Sequence, residues 1–124
     1  MAYKRIFVAF AIEDEKTKIL FTGMAKNEKV PYDFTDMSVK TAWDESEWKK
    51  NCRIRIKGCD GLIVLVSKNI KNATGALWEV ACAIEEKVPV IGIYIDGGTI
   101  LDKPTALAGV SCYEWTWANV KKFC

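Results

Sequence analysis

The chain has 124 residues, half of them apolar, so residues 1–124 are expected to form one domain with its own core. A net charge of +2 makes no electrostatic case for nucleic acid, and no apolar run reaches the length of a membrane span. Histidine is absent, which excludes Ser–His and Cys–His nucleophile pairs and histidine-bound metals; carboxylates, hydroxyls, thiols and lysines remain for any chemistry.

Lys4 to Ala11, "KRIFVAFA", is an apolar run without polar alternation, which predicts a strand buried on both faces. Acidic residues follow it at once and no small-residue cleavage site is present, so the N-terminus reads as a strand and not a signal peptide. From Ile12 to Asn27 the spacing predicts a helix. Ile12, Ile19, Leu20, Gly23 and Met24 form its apolar stripe, expected to be the core face, and Glu13 and Asp14 favour the helix start.

Pro31 opens a short strand, "YDFTDM". Thr41 is the expected cap of the next helix, with Asp44 in a weak capping box; that helix runs to about Lys57. Trp48, Cys52, Ile56 and Cys59 make its apolar stripe, and Glu45 pairs with Lys49. The basic "KKNCRIRIK" behind the acidic "WDESE" reads as a solvated face, not a phosphate track.

Gly58 to Gly61 is a turn, "LIVLVS" a second fully buried strand and "KNIKNATG" the loop after it. A helix from Ala76 to Lys87 leads into the strand "VPVIGIYI". After the turn at Asp96-Gly97-Gly98 the chain passes Pro104 to "SCYEWTWANVKKFC", a short strand and a terminal helix with Trp117, Val120 and Lys121 in register. The alternation predicts a parallel α/β sheet with helices on both faces, in which Ile6–Ala11, Leu62–Val66 and Val90–Ile95 are adjacent. The five cysteines, at 52, 59, 82, 112 and 124, include no Cys-x-x-Cys pair and are expected to be free thiols in a reducing cytoplasm.

In such sheets ligands bind beyond the carboxyl ends of the strands. That places the candidates at Phe10 to Glu13, Asp36 to Ser38, Ser67 to Asn69 and the start of the helix carrying Trp78 and Glu79. No Gly-x-Gly-x-x-Gly or Walker loop occurs. Ser67 stands where a response-regulator receiver would need its phosphorylatable aspartate. On a helical wheel Glu79 lies about 200 degrees from Leu77, opposite the stripe of Val80, Ala81 and Ile84, so periodicity alone makes it solvated. Its first-turn position beside a large aromatic argues otherwise. The helix dipole favours a negative charge there, and a carboxylate in a cleft suits a sugar cation or ribose hydroxyls.

Taken together, "KRIFVAFAIEDE", "YDFTDMS", "IRIKGCDGLIVLVSKN", "LWEVACAIEEKVPVIGIYI" and "YEWTWANVKKF" resemble the TIR-like domain of bacterial Thoeris anti-phage defence proteins, from Lys4 to about Phe123. The resemblance implies a flavodoxin-like, three-layer α/β sandwich around a parallel sheet of about four or five strands. It also implies an NAD glycohydrolase or ADP-ribosyl cyclase, with NAD as substrate and not as a held cofactor. The product would be a cyclic ADP-ribose-type nucleotide that diffuses to an effector; self-association is a further expected interaction, with no metal, nucleic acid or membrane partner. Glu79 falls at the catalytic glutamate. Phe10 and Trp78 would wall the substrate pocket, Asp36 would hydrogen-bond ribose, and Ala11, Ser38 and Ser67 would border it. Ala9 replaces the serine usual before the phenylalanine, so any role of that hydroxyl is lost or moved. Two other readings stand beside this one: a non-catalytic interaction module using Trp43, Trp115 and Trp117, and a nucleoside deoxyribosyltransferase-like enzyme whose glutamate attacks covalently.

Overall fold

A computed structural model describes residues 4–35 and 45–123. The strands are β1 (Lys4–Ala9), β2 (Tyr32–Thr35), β3 (Gly61–Val66), β4 (Val90–Tyr94) and β5 (Ser111–Tyr113). The α-helices are α1 (Glu15–Asn27), α2 (Glu45–Lys57), α3 (Thr74–Glu85) and α4 (Trp117–Lys121). Short 3-10 turns stand at Ile12–Asp14 before α1 and at Ile70–Asn72 before α3.

The described residues form a five-stranded sheet in the order β2-β1-β3-β4-β5. Every pairing is parallel: Val8 lies beside Ile63, Val64 beside Gly92, and Ile93 beside Tyr113. As expected, β1, β3 and β4 are neighbours at the centre. All six residues of β3 are buried, because side chains alternate between two covered faces. Leu62, Val64 and Val66 join the core under α2 and α3, with Trp48, Cys52, Ile56, Val80 and Ala83. Ile63 and Leu65 join the opposite core, with Phe21, Ala25 and Val120 from α1 and α4. This is the three-layer sandwich that the alternation of elements predicts. β4 is covered less fully, with Val90, Ile91 and Tyr94 half-buried.

The structure corrects the predicted core face of α1. Ile12, Ile19, Leu20 and Met24 are 62%, 58%, 55% and 38% exposed, whereas Phe21 and Ala25 are fully buried. Phe21 wins the contact because a large ring has aromatic partners on that side: Phe34 of β2 at 5.8 Å, Trp115 at 5.3 Å and Trp117 at 5.4 Å between centroids. The same packing half-buries Trp115 and Trp117 against the core. α3 begins at Thr74, ahead of the expected Ala76, so Glu79 falls in its second turn and not in the first as expected, and Lys87 takes a left-handed conformation just past the helix end. On α2 the stripe is as expected, with Trp48, Cys52 and Ile56 buried and Cys59 half-buried beyond the helix. Cys52, Cys59, Cys82 and Cys112 are free thiols. Asp36, Ser38, Thr41, Trp43, Asp44, Cys124 and the side chain of Glu45 lie outside the described residues, and with them the expected cap and the Glu45–Lys49 pair.

At the Asp96-Gly97-Gly98 turn, Gly97 has a φ of +77°. Gly98 lies so close to β3 that a Cβ would collide with the Val66 carbonyl oxygen and stand 3.1 Å from the Ser67 Cα. Both obstacles are backbone and cannot swing aside. Gly98→Ala is therefore expected to cost about 1–3 kcal/mol by overpacking. Gly23, in the middle of α1, gives the opposite case, since an added methyl group would meet nothing within 4 Å. Gly23→Ala should stabilise by roughly 0.5–1 kcal/mol through helix propensity. Urea unfolding of the two variants against the parent measures both signs.

Candidate active site

The site is built where β1 and β3 end and the chain leaves for α1 and α3. The carbonyl of buried Ala11 accepts the Asp14 amide at 2.8 Å, which turns the chain into α1. Asp14 is only 4% exposed, so its carboxylate needs donors. Two come from the end of β3: the Ser67 hydroxyl donates to Oδ2 at 2.5 Å and the Asn69 side-chain amide to Oδ1 at 3.0 Å. The Ser67 Oγ in turn accepts the Asn69 backbone N–H at 3.0 Å. This latch ties the β1–α1 crossing to the β3–α3 crossing. A second tie joins α1 to the end of β4, where the Thr17 hydroxyl donates to Asp96 at 2.7 Å.

Between the crossings lies a cleft of about 350 Å³, lined by Phe10, Ile12 and Glu13 on one side and by Asn72 to Ala76 on the other. The first turn of α3 forms part of its wall. No side chain caps that helix start, so its leading N–H groups are free to meet a ligand.

Glu79 stands one turn further along α3 from Gly75 and Ala76, on the same side of the helix. Glu79 itself is not among the residues that line the cleft. It is 6% exposed, not solvated as the helical wheel suggests. The wheel marks only the face turned to the sheet, and α2 covers another. Cys52 of α2 places its Sγ 3.6 Å from Oε2 of Glu79. Trp48, one turn earlier on α2, lies against Gly75 and meets the Trp78 ring at 5.4 Å between centroids. Lys49 Nζ and the Arg53 guanidinium each stand 5.7 Å from the Trp78 ring. Arg53 also donates to Glu86 at 2.6 Å and to Glu85 at 3.3 Å. Glu86 first, then Cys82 and Glu85, push the guanidinium above its ordinary pKa, and burial opposes them. Burial likewise pushes the Cys82 thiol up, although Arg53 pulls against it.

The structure thus brings Phe10, Ala11 and Ser67 around the same strand ends and sets Trp78 and Glu79 on the helix that walls the cleft. Phe10 lines the cleft itself, with Lys18 Nζ 5.2 Å from its ring centroid. Ser67 is 1% exposed and its hydroxyl spans Asp14 and Asn69, so it ties the two crossings together and does not line the cleft. Trp78 is half-buried against Trp48. Asp14 and Cys52 were not among the expected site residues. Asp14 reads in sequence as a helix-start acid, and Cys52 as one more member of an apolar stripe. A larger groove of about 620 Å³, lined by Arg5, Asp33, Asn51, Arg55 and Cys59 among others, lies between α2, β2 and the start of β1, away from the carboxyl ends of the central strands. Among the described residues no group of three or more Cys, Asp or Glu side chains is placed to hold a metal ion.

A parallel sheet in the order 2-1-3-4-5, with its cleft at the carboxyl ends of β1 and β3, is the flavodoxin-like arrangement. Residues 7–100 match the family described as Thoeris protein ThsB, TIR-like domain, and the chain belongs to that family. No curated protein matches the chain. Among solved structures, the TIR domains of the activated Roq1 resistosome directly recognizing the pathogen effector XopQ align with a TM-score of 0.53 at 20% identity, covering 75% of this chain and 58% of that one. The 2-desoxiribosyltransferase from Leishmania mexicana aligns with a TM-score of 0.53 at 14% identity, covering 75% of this chain and 65% of that one. The chain therefore spans less than two thirds of the length of each, and the likeness is one of fold.

Removing the Ser67 hydroxyl would deprive buried Asp14 of a donor. Ser67→Ala is expected to lower unfolding free energy by about 1–3 kcal/mol, as for a buried carboxylate left short of a partner. A thermal or urea melt beside Ser111→Ala, an exposed serine on β5, checks the contrast.

Proposed function

We propose that this protein is an NAD-consuming enzyme that cleaves the nicotinamide–ribose bond and releases a cyclic ADP-ribose-type signal for an effector protein. The observation that carries the reading is Glu79, a carboxylate withdrawn from water in the second turn of α3, the helix whose first turn walls a cleft at the strand ends. Nicotinamide leaves NAD as a neutral molecule, so departure needs no general acid. What the reaction needs is stabilisation of the oxocarbenium-like ribose left behind. A preplaced carboxylate in a poorly hydrated site provides it without reorganisation. The uncapped N-terminus of α3 suits the pyrophosphate of the dinucleotide, and Phe10 offers an apolar wall for a flat ring. The ring-forming step joins C1′ of the ribose to an atom of the same ADP-ribose, and the displaced proton leaves to solvent. Water entering in its place would give ADP-ribose. The TIR-domain neighbour belongs to a resistosome, an assembly, which supports self-association as part of the working state.

A second reading rests on the deoxyribosyltransferase likeness. In that case the Glu79 carboxylate would attack C1′ itself and hold the sugar as an ester. Intact-protein mass after mixing with NAD, or with a deoxynucleoside, separates the two: a retained sugar adds mass, whereas stabilisation without attack does not.

The deciding experiment is nicotinamide release from NAD by the purified protein, alone and with infected-cell lysate as activator. Glu79→Gln keeps shape and most packing while removing the charge, and should slow turnover on the order of a hundredfold or more. Glu85 and Glu86 are poor controls because both hold Arg53. Glu28, exposed beyond the end of α1, is the better one, and Glu28→Gln should retain parental activity. Normal turnover by Glu79→Gln in an active parent would place the chemistry elsewhere.

A further inference from the structure

The stripe of α1 that hydrophobicity marks as a core face is turned to solvent, with Ile12, Ile19, Leu20 and Met24 all exposed. Single exposed apolar residues are ordinary, but a row of them along one helix calls for a cover. At about 100 degrees per residue, Ile19 and Gly23 fall within about 20 degrees of the point opposite Phe21, whose ring faces the core. Gly23 is exposed, and a Cβ added to it would meet nothing within 4 Å, so a hollow lies beside the Ile19 side chain. Glu15 and Lys26 share one flank of this face, about 40 to 60 degrees from its centre and at opposite ends of the helix. Glu15 is half-buried and Lys26 exposed. Lys16, Leu20 and Asn27 lie on the other flank. Ile12, at the head of the stripe, also lines the cleft.

We propose that this face of α1 docks on the same face of a second copy of the chain, the two helices antiparallel across a twofold axis. The order of the charges selects that occupant. A twofold axis through the middle of the stripe brings like flanks together and sets the start of one helix level with the end of the other. Glu15 of each copy then meets Lys26 of the other, twice in the pair, and Ile19 of each comes over the Gly23 hollow of the other. Lys16 comes level with Asn27, which is uncharged, so the second flank adds no clash. A parallel pair would set Glu15 level with Glu15 and Lys26 level with Lys26. The glycine lets the two backbones approach closely, and opposed helix dipoles favour the antiparallel arrangement. α1 has 13 residues, a length of about 20 Å. Such a face is smaller than a standard interface, so pairing should be weak and concentration-dependent. Because Ile12 belongs to both the stripe and the cleft wall, the second copy would stand beside the cleft. This gives a surface to the self-association within the proposed function, and the pairing itself is read with no NAD present.

Sedimentation velocity of the full chain over a concentration series tests the pairing. The parent should pass from monomer to dimer between about ten micromolar and about one millimolar. Ile19→Lys puts a charge into the stripe at an exposed position. It should keep the far-UV circular dichroism of the parent and weaken the dimer about a hundredfold, since the pair contains the substitution twice. Glu15→Lys and Lys26→Glu should each weaken self-pairing about tenfold, because each sets like charges together at two places. Mixed with one another, these two variants should pair within about threefold of the parent, as every contact between the two positions is again of opposite sign. Added salt should weaken that mixed pair. An effect confined to one helix cannot be restored by mixing two chains. A parent that stays monomeric to about one millimolar overturns the proposal. So does a dimer indifferent to Ile19→Lys, a mixture no tighter than its components, or a parent that pellets with phosphatidylcholine–phosphatidylglycerol vesicles in place of dimerising. A parent that releases no nicotinamide under any activation sinks the proposed function, while sedimentation still decides the pairing.

Discussion

The double burial of β3 is the constraint on which the rest of this fold depends. Five consecutive side chains, Leu62 to Val66, are fully removed from water, pointing alternately to the two faces. Each contributes roughly 1.5–3 kcal/mol only if both faces of the sheet are covered. Coverage on both sides requires helices on both sides, and helices between the strands make them parallel. The parallel arrangement then brings the carboxyl ends of β1 and β3 to one edge, where both chains must turn outward in different directions. The cleft is the space those departures leave.

Polar contacts keep that space in shape. Asp14, Ser67 and Asn69 join the two crossings, and Thr17 with Asp96 joins α1 to the end of β4. On the other side of the sheet α2 and α3 dock through Trp48 on Trp78 and Arg53 on Glu86. A carboxylate between two such helices is costly to bury, and the donor from Cys52 offsets part of that cost. The chemistry attributed to Glu79 uses the same feature. A negative charge held where water is scarce acts strongly on a developing positive charge.

Much of this architecture is legible in the residues themselves. The unbroken run "LIVLVS" reads as a strand covered on both faces, and its alternation with helical spacing before and after it determines the parallel sheet and the edge at which such sheets take their ligands. The placement of Glu79 near that edge follows from the same reasoning, and its meaning from the resemblance of the assembled pieces. Where periodicity had to choose between helix faces, it chose by hydrophobicity and went astray. On α1 it favoured Ile12, Ile19, Leu20 and Met24, yet Phe21 is buried because Phe34, Trp115 and Trp117, distant in the chain, converge on its ring. On α3 it turned Glu79 to solvent, because a helical wheel knows one neighbour and α3 has two. The burial of Glu79, its donor Cys52 and the latch at Asp14 join residues 27, 53 and 55 positions apart. Local spacing determines elements and their order; which side of each helix meets which partner is decided by shape and unpaired polar groups across such separations, and these exist only once the chain has folded.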